Sequence, residues 1–354
     1  MLGLVIDKLL SRRDELLRKI EELEKSDLKD PITWNKIPDP IDLPLVGIDG
    51  SMNLKEYKSF AVYAVDAEAI ISTSNGIRSV CSTADVDIVV PYWLPRERVR
   101  LYMSTLEVKC ALKAARCTDA LIVMDGSIIS MLVKPIPFAD VLLRDDYLVR
   151  IARSYAAFFE KYAAEDDLEL KSKEEVPRIA GKYPYNLESL SLLIEYVEYL
   201  TTLKELILSY RERLCSVAKK SHSREIFNAA SPDAAIIEKI TRRAGFFRRK
   251  DLKLLREVKW RVPVYGDVFS SITFTIVYVR LEDRGPVLKI EIPREAGEDE
   301  ILELLGVFKH HSINGYPYPL TKAHKNVEIT NSDMETLIRA LGLYWARTGR
   351  EALY

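Results

Sequence analysis

The chain has 354 residues, 48% hydrophobic and 30% charged, with a formal net charge of -1; that composition supports a large core under a charged surface and excludes a disordered chain. No stretch reaches the roughly 20 apolar residues that span a bilayer, and Asp7 and Lys8 interrupt the apolar run that a secretory leader would need. Near-neutral charge means that any polyanion must be held by local patches, and four cysteines (Cys81, Cys110, Cys117, Cys215) without C-x-x-C or metal spacing indicate a reducing, cytoplasmic setting with no membrane contact.

The first 26 or so residues place Leu2, Val5, Leu9, Leu16, Leu17, Ile20 and Leu23 near helical spacing and predict one amphipathic helix. Its apolar stripe packs either on its own domain or on a partner or second subunit. A proline-marked linker, Asp30 to Pro44, closes an N-terminal region of residues 1–44. From Leu45 the runs PLVGIDG, SFAVYAVDAEAII and DVDIVVPYW read as three strands of an antiparallel meander. A helix from Pro95 to about Arg116 and the doubly apolar strand DALIVMDGS follow. Three strands, a helix and a strand form the opening of a ribonuclease H-like mixed sheet flanked by helices. Residues 45–354 then make one α/β domain with a helical insertion at about 137–260. That insertion contains a short strand, LCSVAKK, and a basic segment, RRAGFFRRKDLKLLREVKWR, read as helical. Two strands near Phe274–Val279 and Val287–Ile292, a helix near Glu298–Phe308, the motif NGYPYPLTKAH and a helix from about Asp333 complete the chain.

Asp49 and Asp125 share one setting, Ile-Asp-Gly-Ser and Met-Asp-Gly-Ser, each read as the end of an apolar strand where glycine lets the chain turn. Carboxylates on rigid supports at one sheet edge suit hard divalent cations, which activate water and stabilise the leaving oxygen in phosphodiester cleavage. The plain alternative for either copy is an Asp-Gly turn. Glu107 lies opposite the polar face Lys109, Lys113 and Arg116 of its helix, among Met103, Cys110, Ala111 and Ala114; a core-facing carboxylate is costly unless it is paired or bound to a cation. His324 ends a proline-stiffened run, read as extended, and can ligate a metal or shuttle a proton. Tyr316 precedes it by eight residues and can orient a phosphate. Between Arg242 and Arg261, the cations Arg242, Arg243, Arg248, Arg249 and Lys250 interleave with Phe246, Phe247 and Trp260, a composition for phosphate contact and base stacking that a solvated charged face explains almost as well. Lys219 and Lys220 are further phosphate candidates.

The set IDGS, TLEVKCAL, LIVMDGS and GYPYPLTKAH resembles the NurA nuclease family of archaea, with AKKSHSREIF matching more loosely. The resemblance implies a ribonuclease H-like core, manganese-dependent 5′-to-3′ exonuclease action with single-strand endonuclease activity (magnesium as the alternative ion, one or two ions), and DNA ends, single- or double-stranded, as substrate. It also implies a ring-shaped homodimer and a hexameric HerA-type helicase as partner in DNA end resection. Carried over by position, the acidic metal ligands fall on Asp49, Glu107 and Asp125, the histidine ligand on His324 and the tyrosine on Tyr316. Gly-Ser-Met-Asn follows Asp49 where some relatives carry a second glycine, which touches substrate fit and spares the ligand. Two rivals are weighed. An actin-like phosphotransferase also uses Asp-Gly loops, but no glycine-rich phosphate loop is present. A catalytically silent adaptor that loads a helicase on DNA leaves the five matched positions without a task.

Overall fold

The computed structural model describes residues 2–24, 32–133, 146–179, 187–249, 252–253 and 262–343. The chain opens with two short helices, α1 (Leu2–Ser11) and α2 (Arg13–Glu24), parted at Arg12 where apolar spacing predicts one. The Arg12 guanidinium turns onto Glu15, with contacts of 2.9 and 2.8 Å. None of α1 is buried, and Leu2 and Leu4 are each 74% exposed, so its stripe finds no cover among the described residues.

Strands β1 (Leu45–Glu56), β2 (Ala61–Thr73) and β3 (Gly76–Ile88) form the expected meander. β1 does not stop at Asp49, however. It stays paired with β2 from Leu45↔Ser72 to Glu56↔Ala61, because Gly50 has no positive φ and continues the strand. Helix α3 (Pro95–Cys117) starts with proline in its first turn, where the missing N–H costs nothing. It returns the chain to β4 (Leu121–Asp125), parallel to β1, whose Ile122, Val123 and Met124 are buried on both faces.

After α4 (Ile128–Val133), the helices α5 (Asp146–Ala164), α6 (Lys171–Ile179) and α7 (Leu187–Tyr210) lead to β5 (Leu214–Ala218), parallel to β4. α8 (Asp233–Ile240) is followed by β6 (Gly245–Arg248) and β7 (Leu252–Lys253). The basic segment expected to be helical is therefore extended where it is described. Phe246 and Phe247 explain this, because alternation across a strand sends Phe246 into one core and Phe247 into another. α9 (Gly266–Ser271), β8 (Thr273–Arg280), β9 (Leu288–Ile292) and α10 (Glu298–His310) follow.

The proline run is the second departure. Instead of one extended stretch it makes a hairpin of β10 (Ser312–Ile313) and β11 (Tyr316–Pro317), then helix α11 (Tyr318–Val327). Asn314 and Gly315, at φ 54 and 74, turn the hairpin. Pro319 in the first helical turn then favours the helix rather than opposing it. α12 (Asn331–Ala340) closes the described chain, capped by the Thr330 hydroxyl.

The main sheet runs β3-β2-β1-β4-β5-β9-β8-β6, with β7 also pairing β8. It is antiparallel across β3-β2-β1, parallel from β1 through β5, and antiparallel thereafter. One face packs Val46, Ile48 and Met124 against α3 and α7; the other packs Val123, Val217 and Val277 against α10 and Leu320 of α11. α3 is covered on both sides, so the face read as polar is dry at Lys109, which is 5% exposed and pairs with Glu198 of α7 at 2.9 Å, while Lys113 and Arg116 stay half-buried beside Asp166. Arg98 likewise meets Glu195 at 2.6 Å, both 1% exposed. No described helix is long and apolar enough to cross a membrane.

Candidate active site

The β1–β4 pairing ends at Ile48↔Met124, so the next residues, Asp49 and Asp125, stand side by side where the two strands part. Their sequence settings are alike, but their supports differ. Asp49 sits within β1, opposite Glu68 of β2; Asp125 ends β4, backed by Val217 of β5. Only the second copy turns: Gly126 has φ +104, a conformation that side chains disfavour, and donates its N–H to Val217 at 2.9 Å.

The glycines beside Asp49 serve through their size. A Cβ on Gly47 would lie 2.6 Å from the Leu320 amide and 2.7 Å from the Pro319 carbonyl carbon, so glycine lets α11 press on β1. On the opposite face, a Cβ on Gly50 would lie 2.7 Å from Glu107 Cγ. Gly47 and Gly50 thus admit the elements that carry His324 and Glu107 to either side of Asp49. Gly47 was not singled out from sequence, and Gly50 was read there as a turn residue rather than as a gap. The signal present was two glycines of opposite strand parity flanking an aspartate in Gly-Ile-Asp-Gly.

Glu107 is 8% exposed. Burial first, then the charges of Asp49 and Asp125, push its carboxyl up to about 8, against a smaller opposing pull from the Gly50 amide. Among the described residues no basic group offsets it. Burial and Asp125 also raise Asp49, although His324 and the Gly50 amide hold it down in part.

The C-terminal segment folds back onto this group. His324 Nδ1 lies 2.8 Å from Asp49 Oδ2, and the Tyr316 hydroxyl donates to Asp125 Oδ1 at 3.2 Å. Burial and the neighbouring Asp125 push the Tyr316 phenol well above its usual range, so it stays a proton donor. His324 is on α11, anchored by the buried Leu320, Ala323 and Val327, and remains half-exposed. Lys219, just beyond β5, reaches Asp125 Oδ2 at 2.7 Å and stands 4.6 Å over the Tyr316 ring. The serines of the two Asp-Gly-Ser copies are ties as well. Ser51 Oγ accepts from the Ile329 amide at 3.1 Å, fastening the segment after α11 to β1.

A model of the NurA domain matches residues 43–329. The chain belongs to the NurA family. A relative described as a probable DNA double-strand break repair nuclease NurA, from Methanocaldococcus jannaschii, is 30% identical over 96% of this chain and 90% of its own. The crystal structure of the NurA nuclease from Sulfolobus solfataricus is similar at TM-score 0.73 and 22% identity, covering 97% of both chains. A structure of NurA bound to dAMP and manganese is similar at TM-score 0.69 and 16% identity, covering 98% of this chain and 96% of that one. At these identities the structures bear on the NurA fold alone.

Five residues singled out in the sequence, Asp49, Glu107, Asp125, Tyr316 and His324, therefore gather at one place in this NurA-family fold, joined by Lys219. Lys220 follows in an exposed position. The basic segment does not join them. β6 lies four strands from β4 in the sheet order, about 19 Å at the usual strand spacing. Arg242 and Arg243 precede β6 at the same end of the sheet as Asp125. Arg248 and Arg249 lie toward the other end, where Arg249 is paired with Glu225. Phe246 and Phe247 are packed rather than free to stack, while Lys250 and Trp260 lie outside the described residues.

Among the described residues no three acidic, histidine or cysteine side chains form a ready-made cation cage. Asp49 is engaged by His324, and Asp125 by Lys219. The donor chemistry nonetheless fits a hard divalent cation: three carboxylates feel one another's charge, and the buried Glu107 has no counter-charge among the described residues.

Proposed function

We propose that this protein is a metal-dependent DNA nuclease, in which Asp49, Glu107, Asp125 and His324 hold one or two Mn²⁺ ions, with Mg²⁺ as the alternative. The observation that carries this reading is Glu107, a buried carboxylate near two more and close to the gap that Gly50 leaves open, with no cation beside it among the described residues. A relative's name as a repair nuclease and a similar NurA solved with dAMP and manganese support it. When bound, the metal supplies an activated water and a counter-charge for phosphate oxygens.

The residues of the chain divide the remaining work. Asp49 and Asp125 are held rigidly by strands, and Glu107 by a helix covered on both sides, so the carboxylates need little reorganisation to receive a cation. His324 keeps Asp49 oriented through Nδ1 and, being half-exposed, can pass a proton to solvent. Lys219 neutralises Asp125 and is free to turn to a phosphate once that carboxylate is otherwise occupied. Tyr316 donates toward the same carboxylate and steadies Lys219 with its ring. Lys220, and more remotely Arg242, Arg243, Arg248, Arg249 and Lys250, serve the DNA backbone.

The proposal extends to a ribonuclease H-like core, which the order β3-β2-β1-β4-β5 and its strand directions support. It also covers 5′-to-3′ exonuclease and single-strand endonuclease action, a homodimer, and end resection with a HerA-type helicase. The uncovered stripe of α1 is the candidate docking element. Deleting residues 1–26 then abolishes the helicase complex and spares metal binding; an unaltered complex removes that assignment. The central test is cleavage of 5′-labelled DNA with Mn²⁺. Robust cleavage by Asp49→Ala or Asp125→Ala would sink the nuclease assignment.

A further inference from the structure

Asp125 closes a strand whose pairing with β1 has already ended at Met124, and the turn after it relies on a glycine at positive φ. Beneath that turn lies Glu291 of β9, two strands away in the sheet order and 0% exposed. Its Oε1 accepts from the Ser127 hydroxyl and from Lys289 Nζ, both at 2.7 Å. Its Oε2 accepts from the Ile129 amide at 3.0 Å and from Ser216 Oγ at 3.4 Å. Four donors thus converge on one buried carboxylate, and two belong to the four residues after Asp125. Ser127 Oγ in turn accepts from the Ser130 amide at 3.0 Å. Lys289, 7% exposed, supplies the counter-charge without which a carboxylate at this depth would be strongly unfavourable.

We infer that Glu291, neutralised by Lys289, is a positioning residue for Asp125: it clamps Ser127 and Ile129 so that the carboxylate leaves β4 in a fixed direction, beside Asp49. The inference rests on the metal-binding reading of the site. Glu291 does not itself enter that site. Both of its oxygens are occupied by donors on the α3 side of the sheet, the side of Met124 and Ser216, whereas Asp125 points to the other side with Val217. A scaffold carboxylate would need only a place in the core, but this one spends its hydrogen bonds on the turn that bears a proposed ligand. Partners that orient ligands from behind typically change metal affinity about 10- to 100-fold when removed.

The test is Mn²⁺ titration of the full-length protein without DNA, followed by calorimetry. Ser127→Ala removes one half-buried hydroxyl and keeps the fold readable if Glu291→Gln, which strands Lys289, does not. Ser127→Ala and Glu291→Gln are each expected to weaken Mn²⁺ about 10- to 100-fold. The double variant should be no weaker than the worse single one, because both break the same clamp. Ser127→Thr, which retains the hydroxyl, should bind like wild type, a rescue that a purely structural role would not require. Wild-type affinity in Ser127→Ala, alongside lost affinity in Asp125→Ala, overturns the inference alone. Absence of Mn²⁺ uptake by the wild type overturns the metal reading and this inference with it.

Discussion

Helix α3 carries buried charge toward two neighbours, and the two sides are built on opposite terms. Toward α7, Arg98 meets Glu195 and Lys109 meets Glu198, each cation facing its carboxylate at 2.6 and 2.9 Å. Further bonds complete these pairs: Arg98 also binds the carbonyls of Val90 and Pro91, and Glu198 accepts from the Lys171 and Ser172 amides. Toward the sheet, Glu107 is also buried, but the charged groups it feels among the described residues are the acids Asp49 and Asp125. One side is a finished electrostatic assembly and the other an open one. A completed buried pair fixes how helices dock; an uncompleted one costs stability and is retained where function requires it.

Substitutions on the two sides should therefore fail differently. The largest effect is expected for Glu107→Ala: Mn²⁺-supported DNA cleavage falls about 100-fold or more, as when a transition-state stabilising group is lost, while the melting temperature of metal-free protein holds or rises. Arg98→Met should do the reverse, costing about 3–5 kcal/mol of stability by stranding Glu195. Its residual activity should track the folded fraction. Denaturant unfolding and initial cleavage rates on both variants separate the cases, and equal destabilisation by the two substitutions would dissolve the contrast.

Gly50→Ala sharpens the same comparison without touching a charge. Its Cβ would fall 2.7 Å from Glu107 Cγ, so Glu107 must move away from Asp49. Overpacking of this kind costs about 1–3 kcal/mol, and cleavage should drop more steeply than stability. A Gly50→Ala enzyme that melts early yet cleaves normally when folded would show that the position of Glu107 is unimportant.

Much of this was legible in sequence because strand and metal signals are local. The β1, β2 and β4 runs, the dry position of Glu107 and the paired Asp-Gly-Ser copies all show in short windows. What escaped depended on neighbours distant in sequence. Lys109 fits a solvent-facing helix stripe until α7 covers it. The prolines of the 314–324 run suggest extension until Pro319 is seen to open a helix. Gly47 reads as one more strand residue until Leu320, 273 positions later, arrives against it. The basic segment misled for another reason: Phe246 and Phe247 look available for stacking, but alternating strand geometry buries Phe246 in one core and packs the half-buried Phe247 against another.

The open side of α3 should also show in pH. Glu107 titrates near pH 8 when folded, against 4.5 for an ordinary glutamate, so the folded state keeps a proton that the unfolded state loses. Its contribution is neutral below about pH 4.5 and becomes increasingly unfavourable as pH rises toward about 8. Metal-free wild type should lose stability across that window relative to Glu107→Gln, and Mn²⁺ binding at neutral pH should release a proton from this group. Parallel melting curves for the two proteins from pH 5 to 8 would remove the premise.

The smallest effect belongs to Tyr316→Phe. The ring stays, so the seat of Lys219 at 4.6 Å is retained, and only the 3.2 Å hydrogen bond to Asp125 is lost. A single such bond to a charged group is worth about 1.5–3 kcal/mol at most, and less where solvent can replace it. Cleavage should slow by about ten-fold through kcat, with Mn²⁺ affinity little changed. Lys219→Met removes instead the cation that now balances Asp125. It should raise KM for DNA and flatten its salt dependence, because a positive charge near the phosphates is gone. If Tyr316→Phe behaves like Lys219→Met, raising KM and leaving kcat intact, the hydroxyl acts only by holding the lysine, and its bond to Asp125 is incidental.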